Sequence, residues 1–283
     1  MERRVGETYL KRLVVFYIPL FMFLVVVLFP FFWMAIASVK PDQELYNVRM
    51  SPFIVRNPTV SHWVYLFKET LFARWAVNTF FIATASTALS LFCGVLAGYS
   101  LSRLRYPGST SIGVSIFVTY LVPPTLLFIP LADVIARLGL LDTPWALILS
   151  YPTILVPFAT WLLMGYFKTI PRELEECARI DGATRFQAFY RIILPLATPG
   201  ILSAGIFAFT LSWNEFLFAL VFLSSPENKT VPVGVVSELI KGDVFFWGSL
   251  MAGALFGSIP VAIVYSFFVE YYVAGLTGGA VKG

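Results

Sequence analysis

Chemistry in this 283-residue chain must come from few residues: one histidine, two cysteines, a carboxylate inside an apolar run, and a charged stretch between residues 170 and 195. A structural zinc site is tetrahedral and takes four Cys or His ligands. His62, Cys93 and Cys177 are too few and too scattered for one, and the two cysteines make no disulfide framework. Hydrolytic triads need a histidine beside the nucleophile, and His62, in a polar stretch, is the only one. A nucleotide-cradling loop needs Gly-Lys followed by Ser or Thr, and the sequence has no Gly-Lys pair. The chain therefore reads as a non-enzyme without a cofactor or metal of its own.

The charged stretch is the informative one. Pro171 suits a first helical turn, and Glu173 and Glu175 follow where the helix dipole favours acids. Gly182 can end that helix in a left-handed conformation. Thr184 with Gln187 three residues on forms a capping box for a second helix, which Pro195 stops. Thr198-Pro199 then opens the next apolar segment. A plain helix–helix link runs about two to eight residues. This one is longer, and it places Phe186, Phe189 and Tyr190 among charges, which suits docking into a partner's groove.

The isolated carboxylate is Glu215, in the run Trp213-Asn214-Glu215-Phe216. An ionisable group at the centre of a membrane helix costs about 2.5–3.5 kcal/mol on insertion scales, so it normally faces a bundle interior or a watery cavity. Two readings stay open. Asn214 and Glu215 line or gate a solute path, with Trp213 as a flat apolar wall beside it, or Glu215 bonds to a neighbouring helix or subunit and never meets solute.

The elements that position these residues are set by the solvent. Hydrophobic residues make up 58% of the chain and charged ones only 13%, about half the charge of a soluble domain. Six stretches long enough to span a bilayer run Leu13–Val39, Trp75–Ser102, Tyr106–Ala132, Thr143–Phe167, Ile192–Phe222 and Val244–Val269. They lack the alternation of barrel strands, so helices are expected. The first has a basic start and an Ala35-Ile36-Ala37 sequence like a signal cleavage site, but its apolar core exceeds the usual length, so an uncleaved anchor is expected. With the N-terminus (residues 1–12) cytoplasmic, Arg3, Arg4, Lys11, Arg12, Arg103, Arg105, Lys168, Arg172, Arg179, Arg185, Arg191 and Lys282 all fall inside. The short loops thus place both termini and the 168–199 loop in the cytoplasm. The net charge of +4 sits at segment ends, so it argues for lipid orientation and not for nucleic acid. Gly94 with Gly98, and Gly253 with Gly257, allow close helix packing. Pro123, Pro124, Pro130, Pro152, Pro157 and Pro260 interrupt helix bonding, which suits helices bent around a cavity and static kinks equally.

At the charged loop the sequence resembles the permease subunits of ATP-binding-cassette importers. Their signature is Glu-Ala-Ala, three residues, Gly, nine residues, Ile-x-Leu-Pro. Here Glu176-Cys177-Ala178, Gly182 and Ile192-x-Leu194-Pro195 keep every spacing, with Cys177 in place of the middle Ala. Asp181-Gly182-Ala183 matches the commoner form. Trp213-Asn214-Glu215-Phe216 and the tail Gly275–Gly283 are similar to the carbohydrate branch, the maltose-permease type. The resemblance implies an all-α, six-helix importer transmembrane domain over residues 13–283. It also implies a second homologous permease, two cytoplasmic ATPases that hold ATP and Mg, and an extracytoplasmic solute-binding protein. The loop becomes the coupling helix, and Glu175, Glu176, Cys177, Ala178, Asp181, Gly182, Ala183, Arg185, Phe186, Leu194 and Pro195 the expected ATPase contacts. The tail is a further expected contact. The location is a bacterial or archaeal cytoplasmic membrane, and the solute a di- or oligosaccharide such as maltose or trehalose, with glycerol phosphate esters as the alternative. A secondary transporter would be expected to show more buried ionisable groups and internal repeats. A membrane enzyme or scaffold would need a catalytic cluster or a soluble domain.

Overall fold

The computed structural model describes residues 11–104 and 106–277. The expected N-terminal basic residues Arg3 and Arg4, Arg105, and the end of the tail, residues 278–283, lie outside them. The elements are helices almost throughout: α1 Leu13–Val39, α2 Asp42–Leu45, α3 Ser61–Lys68, α4 Phe72–Arg103, α5 Ser109–Tyr120, α6 Pro124–Arg137, α7 Pro144–Thr169, α8 Glu173–Ile180, α9 Arg185–Leu196, α10 Thr198–Trp213, α11 Leu217–Phe222, α12 Val231–Leu239 and α13 Trp247–Thr277. Four are long and apolar enough to cross a membrane, namely α1, α4, α7 and α13 over Trp247–Val269. Two bent pairs, α5 with α6 at 98° and α9 with α10 at 70°, bring the number of spans to six if each pair is one crossing. The third segment, expected as one run, is therefore broken. Pro123 and Pro124 cannot donate backbone bonds across the break, so the helix restarts with Pro124 in its first turn.

The chain divides into two compact units, Met1–Thr70 with Val235–Gly257, and Leu71–Gly234 with Ser258–Gly283. In the first, α1 is exposed over nearly its whole length, as expected of a helix that is apolar all round and meets lipid or a partner. The Lys40–Lys68 stretch is held by local polar bonds. Glu44 accepts from the backbone N–H groups of Arg56 (3.0 Å) and Asn57 (3.1 Å) and from Asn57 Nδ2 (2.9 Å). These bonds, the Arg56 one first, hold its carboxyl below the ordinary range against the opposing effect of desolvation. His62, read from sequence as a loop residue, lies on α3 and is buried, with Nε2 2.9 Å from the Lys40 carbonyl. Gly248 leaves room for its ring, since a Cβ there would overlap it. A short hairpin, β1 Ile240–Lys241 with β2 Val244–Phe245, turns at Gly242, which has φ +61°. The last apolar segment, expected from Val244, consequently becomes helical only at Trp247.

In the second unit α4 packs along α7, as the Gly94-x-x-x-Gly98 spacing predicts. A Cβ on Gly94 would lie 2.8 Å from that of Ala159, and one on Gly98 3.1 Å from that of Leu163. α10 joins them, and Ser86 and Ser212 meet across that contact at 2.9 Å. Two apolar clusters fill the unit. One gathers around Leu147, Tyr151, Phe218 and Phe222, the other around Tyr99, Leu163, Phe167, Phe189 and Ile193. The α6–α7 connection is clamped to the segment after α11. Asp142, at φ +58°, accepts from the Ser225 hydroxyl and from the backbone N–H groups of Ser224 and Ser225, both at 2.9 Å. Those bonds, led by the hydroxyl, hold its carboxyl below the ordinary value.

Candidate functional site

The 170–196 stretch folds as the two-helix loop its sequence predicts. Gly182 separates α8 and α9 at φ +89°, with nothing within 4 Å of an added Cβ, so the turn demands backbone freedom and not space. Thr184 caps α9 reciprocally. Its Oγ1 accepts from Gln187 N at 3.2 Å, while its own N–H donates to Gln187 Oε1 at 2.8 Å. Two details differ from expectation. α8 starts at Glu173, so Pro171 precedes the helix, and α9 runs through Pro195 to Leu196 before the chain bends.

A rigid base holds the loop. Tyr99, near the end of α4, donates its hydroxyl to Glu175 at 2.6 Å. Arg103 Nη2 donates to the carbonyls of Phe167 (2.6 Å) and Ile170 (2.5 Å), closing the end of α7. Arg172 Nη2 donates to the Ser102 carbonyl at 3.1 Å. The inner faces of both loop helices are apolar: Ala178, Ala188, Phe189 and Ile193 are buried. Phe189, expected on the surface, instead packs 4.5 Å from the Tyr99 ring. On a helix Phe186 and Tyr190 share one face, whereas Phe189 and Ile193 share another. Tyr99 and Arg103 carried no sequence signal, because only the tertiary fold brings α4 beneath the loop.

The outer face is the unusual one. Ile180 is 85% exposed, Phe186 73% and Tyr190 61%, and the last two stack at 6.5 Å with planes 8° apart. Glu176, Cys177, Asp181, Gly182, Arg185 and Pro195 are exposed beside them, Glu175, Ala183 and Leu194 are half-buried, and Ala178 is buried. Ile180, Phe186 and Tyr190 thus stand exposed as large apolar side chains on one charged loop. Sequence reasoning missed Ile180; its signal was a large aliphatic residue closing the helix between the charged Arg179 and Asp181.

The second candidate centres on Glu215. The expected continuous fifth helix stops at Trp213 and restarts at Leu217, and Glu215 is the reason it can. Its Oε1 accepts from Phe218 N (2.8 Å) and its Oε2 from Ala219 N (3.1 Å), capping α11 as an N-terminal acid does. Tyr151 of α7 donates its hydroxyl to the same Oε2 at 3.0 Å. A cavity of ≈ 330 Å³ lies alongside, lined by Pro124, Tyr151, Ser212, Asn214, Glu215 and Phe216 among others. Asn214 is exposed, its Nδ2 donating to the Thr210 carbonyl at 2.9 Å. Trp213, expected as a wall of that space, is only 4% exposed and stacks on Phe209 at 5.7 Å. Its place on α10 turns it into the bundle. Among the described residues no cluster of His, Cys, Asp or Glu could hold a metal ion.

A family profile described as "Binding-protein-dependent transport system inner membrane component" matches residues 90–278. The chain is 38% identical to the sulfoquinovosyl glycerol transport system permease protein SmoH of Agrobacterium fabrum, over 90% of this chain and 89% of that one. It is 34% identical to the trehalose/maltose transport system permease protein MalG of Thermococcus litoralis, over 98% and 99%. Its fold is that of a bacterial ABC transporter involved in import of the acidic polysaccharide alginate, with a TM-score of 0.78, 23% identity, and 92% and 95% of the two chains covered.

Proposed function

Since this chain belongs to the family of binding-protein-dependent transport system inner membrane components, we propose that it is one of two permease subunits of an ATP-driven importer for a glycoside. It is an integral multi-pass membrane protein with the transmembrane-domain fold of ABC importers. On this reading it binds no nucleotide. ATP and Mg sit on two ATPase subunits in the cytoplasm, an extracytoplasmic protein delivers the solute, and both termini of this chain are cytoplasmic. The observation that carries the reading is the outer face of the coupling loop. Ile180, Phe186 and Tyr190 stand in water while the opposite face is bonded to α4 and α7. A partner seated on that face pushes on helices and not on a floppy connector. Glu175 belongs to the base of the loop, and Glu176, Asp181, Gly182 and Arg185 to its contact surface. The solute class comes from the relatives, whose names carry trehalose, maltose and sulfoquinovosyl glycerol, all of them glycosides. We assign a di- or oligosaccharide, with a glycosylated glycerol second. The test pairs two measurements. The tagged chain, expressed with its neighbouring genes, should co-purify with an ATPase subunit, and its loss should abolish uptake of one radiolabelled glycoside from a panel that includes a glycerol phosphate ester. Purification without any ATPase, or unchanged uptake across the panel, overturns the reading.

A further inference from the structure

A second cavity, of ≈ 490 Å³, opens where the foot of α4, the body of α8 and the start of α9 meet. Four guanidiniums line it, those of Arg103, Arg172, Arg179 and Arg185, against two carboxylates, Glu175 and Glu176. Glu175 is already engaged by the Tyr99 hydroxyl. Among the described residues no ion pair joins any of these arginines to a carboxylate. Arg103 Nε is buried with no hydrogen-bond partner, although its Nη2 serves two carbonyls. A buried cationic N–H left unpaired is costly, and like charges around one space repel. An anion with several acceptor oxygens relieves both penalties, and the planar arginine fork matches phosphate geometry.

We infer that this cavity binds a phosphate-bearing ligand, a phosphate monoester or diester, which ties α4 to the coupling loop. Of the proposed contact surface only Glu176 and Arg185 line it, while the hydrophobic Ile180, Phe186 and Tyr190 do not, which favours a small ligand over an acidic segment of a protein partner. Leu104 and Tyr106 complete the wall at the start of the chain's third apolar segment, and head groups lie at the ends of segments that span a bilayer. The source of the phosphate rests on the orientation proposed above: an anionic phospholipid of the cytoplasmic leaflet or a soluble phosphate. Anion binding itself does not.

The experiment uses the whole purified importer. In one arm it is placed in phosphatidylcholine nanodiscs with and without phosphatidylglycerol, and lipid retained after extraction is counted by native mass spectrometry. In the other, inorganic pyrophosphate is titrated calorimetrically in detergent. The Arg179 side chain makes no hydrogen bond or ion pair among the described residues, its carbonyl alone accepting from Gly182 N at 3.2 Å, so Arg179→Gln tests the site without loosening the base. Arg179→Gln should weaken binding about tenfold in one arm, Arg179→Lys less, and Arg172→Gln/Arg179→Gln more. Phosphatidylglycerol retention that Arg179→Gln reduces names lipid as the source, and pyrophosphate binding that Arg179→Gln reduces, apart from any at the ATPase nucleotide sites, names a soluble phosphate. Equal binding by wild type and all three variants overturns the inference. So does binding by the isolated chain that vanishes once the ATPase is seated, which would assign the cavity to an acidic protein segment. Failure of co-purification would sink the importer reading, and the same two arms run on the chain as it purifies would still decide anion binding.

Discussion

A carboxylate inside an apolar segment must be neutralised or find donors. Glu215 finds three, two backbone N–H groups of α11 and the Tyr151 hydroxyl. The question of solute path or structural bond thus takes a particular form: both carboxylate oxygens are committed within this chain, while Asn214 beside them stays exposed to the cavity. If the bonds act as a unit, the losses on removing either partner should overlap. Tyr151→Phe keeps the buried ring and should destabilise the purified chain by about 1–3 kcal/mol. Glu215→Gln should cost about 0.5–2 kcal/mol, as loss of a helix cap does. The double variant should fall short of the sum by about 1 kcal/mol, since the two share one bond. Strictly additive shifts in denaturant unfolding would show that Tyr151 and Glu215 act independently. Uptake that fails while assembly and stability hold would instead place Glu215 on the path.

At the scale of elements, the 170–196 loop is a case where local sequence and tertiary structure agree. Its caps are local devices. Gly182 at positive φ and the Thr184–Gln187 box are set within a few residues, so sequence spacing reveals them. A residue with a side chain at φ +89° is strained by about 1–2 kcal/mol, and Asn bears it better than a β-branched residue. ATPase co-purification should therefore rank wild type above Gly182→Asn and Gly182→Asn above Gly182→Val, with the Val chain still reaching the membrane in normal amount. Equal recovery for all three would remove the bend from the docking mechanism. The breaks after α5 and α10 were less legible. Prolines flagged an interruption in the first case but not its 98° angle. In the second, nothing in the local pattern of Trp213-Asn214-Glu215-Phe216 announced that a carboxylate would restart the helix. That became visible only with Tyr151 beside it.

For the whole molecule the decisive quantity is orientation. Short-loop lysines and arginines favour a cytoplasmic 170–196 loop, and the proposed docking of an ATPase requires it there. With Cys93 and Cys177 replaced, cysteines at Thr110 and Thr184, both exposed, should be shielded from a membrane-impermeant maleimide in intact cells. Cysteines at Val48, which is 98% exposed, and at the exposed Glu227 should label fully. Labelling of the Thr184 position in unbroken cells would reverse the topology and with it the assignment of the loop to an ATPase.

Sequence alone determined what the bilayer and the backbone enforce locally. A long charge-free run must become a helix, because lipid offers backbone groups no other partner. A Gly or a capping pair acts within one turn, and a Gly-x-x-x-Gly stripe declares a close helix contact, which α4 and α7 make. Tertiary structure alone decided which side chains face outward from those helices and what lies beneath them. Phe189 turns inward onto Tyr99, and Trp213 and His62 turn into buried sites. Ile180 is left in water. The four arginines around the second cavity come from the foot of α4 and from the loop, some 70 residues apart. Spacing along the chain carries no record of such meetings, since they depend on how helices pack and not on any one helix.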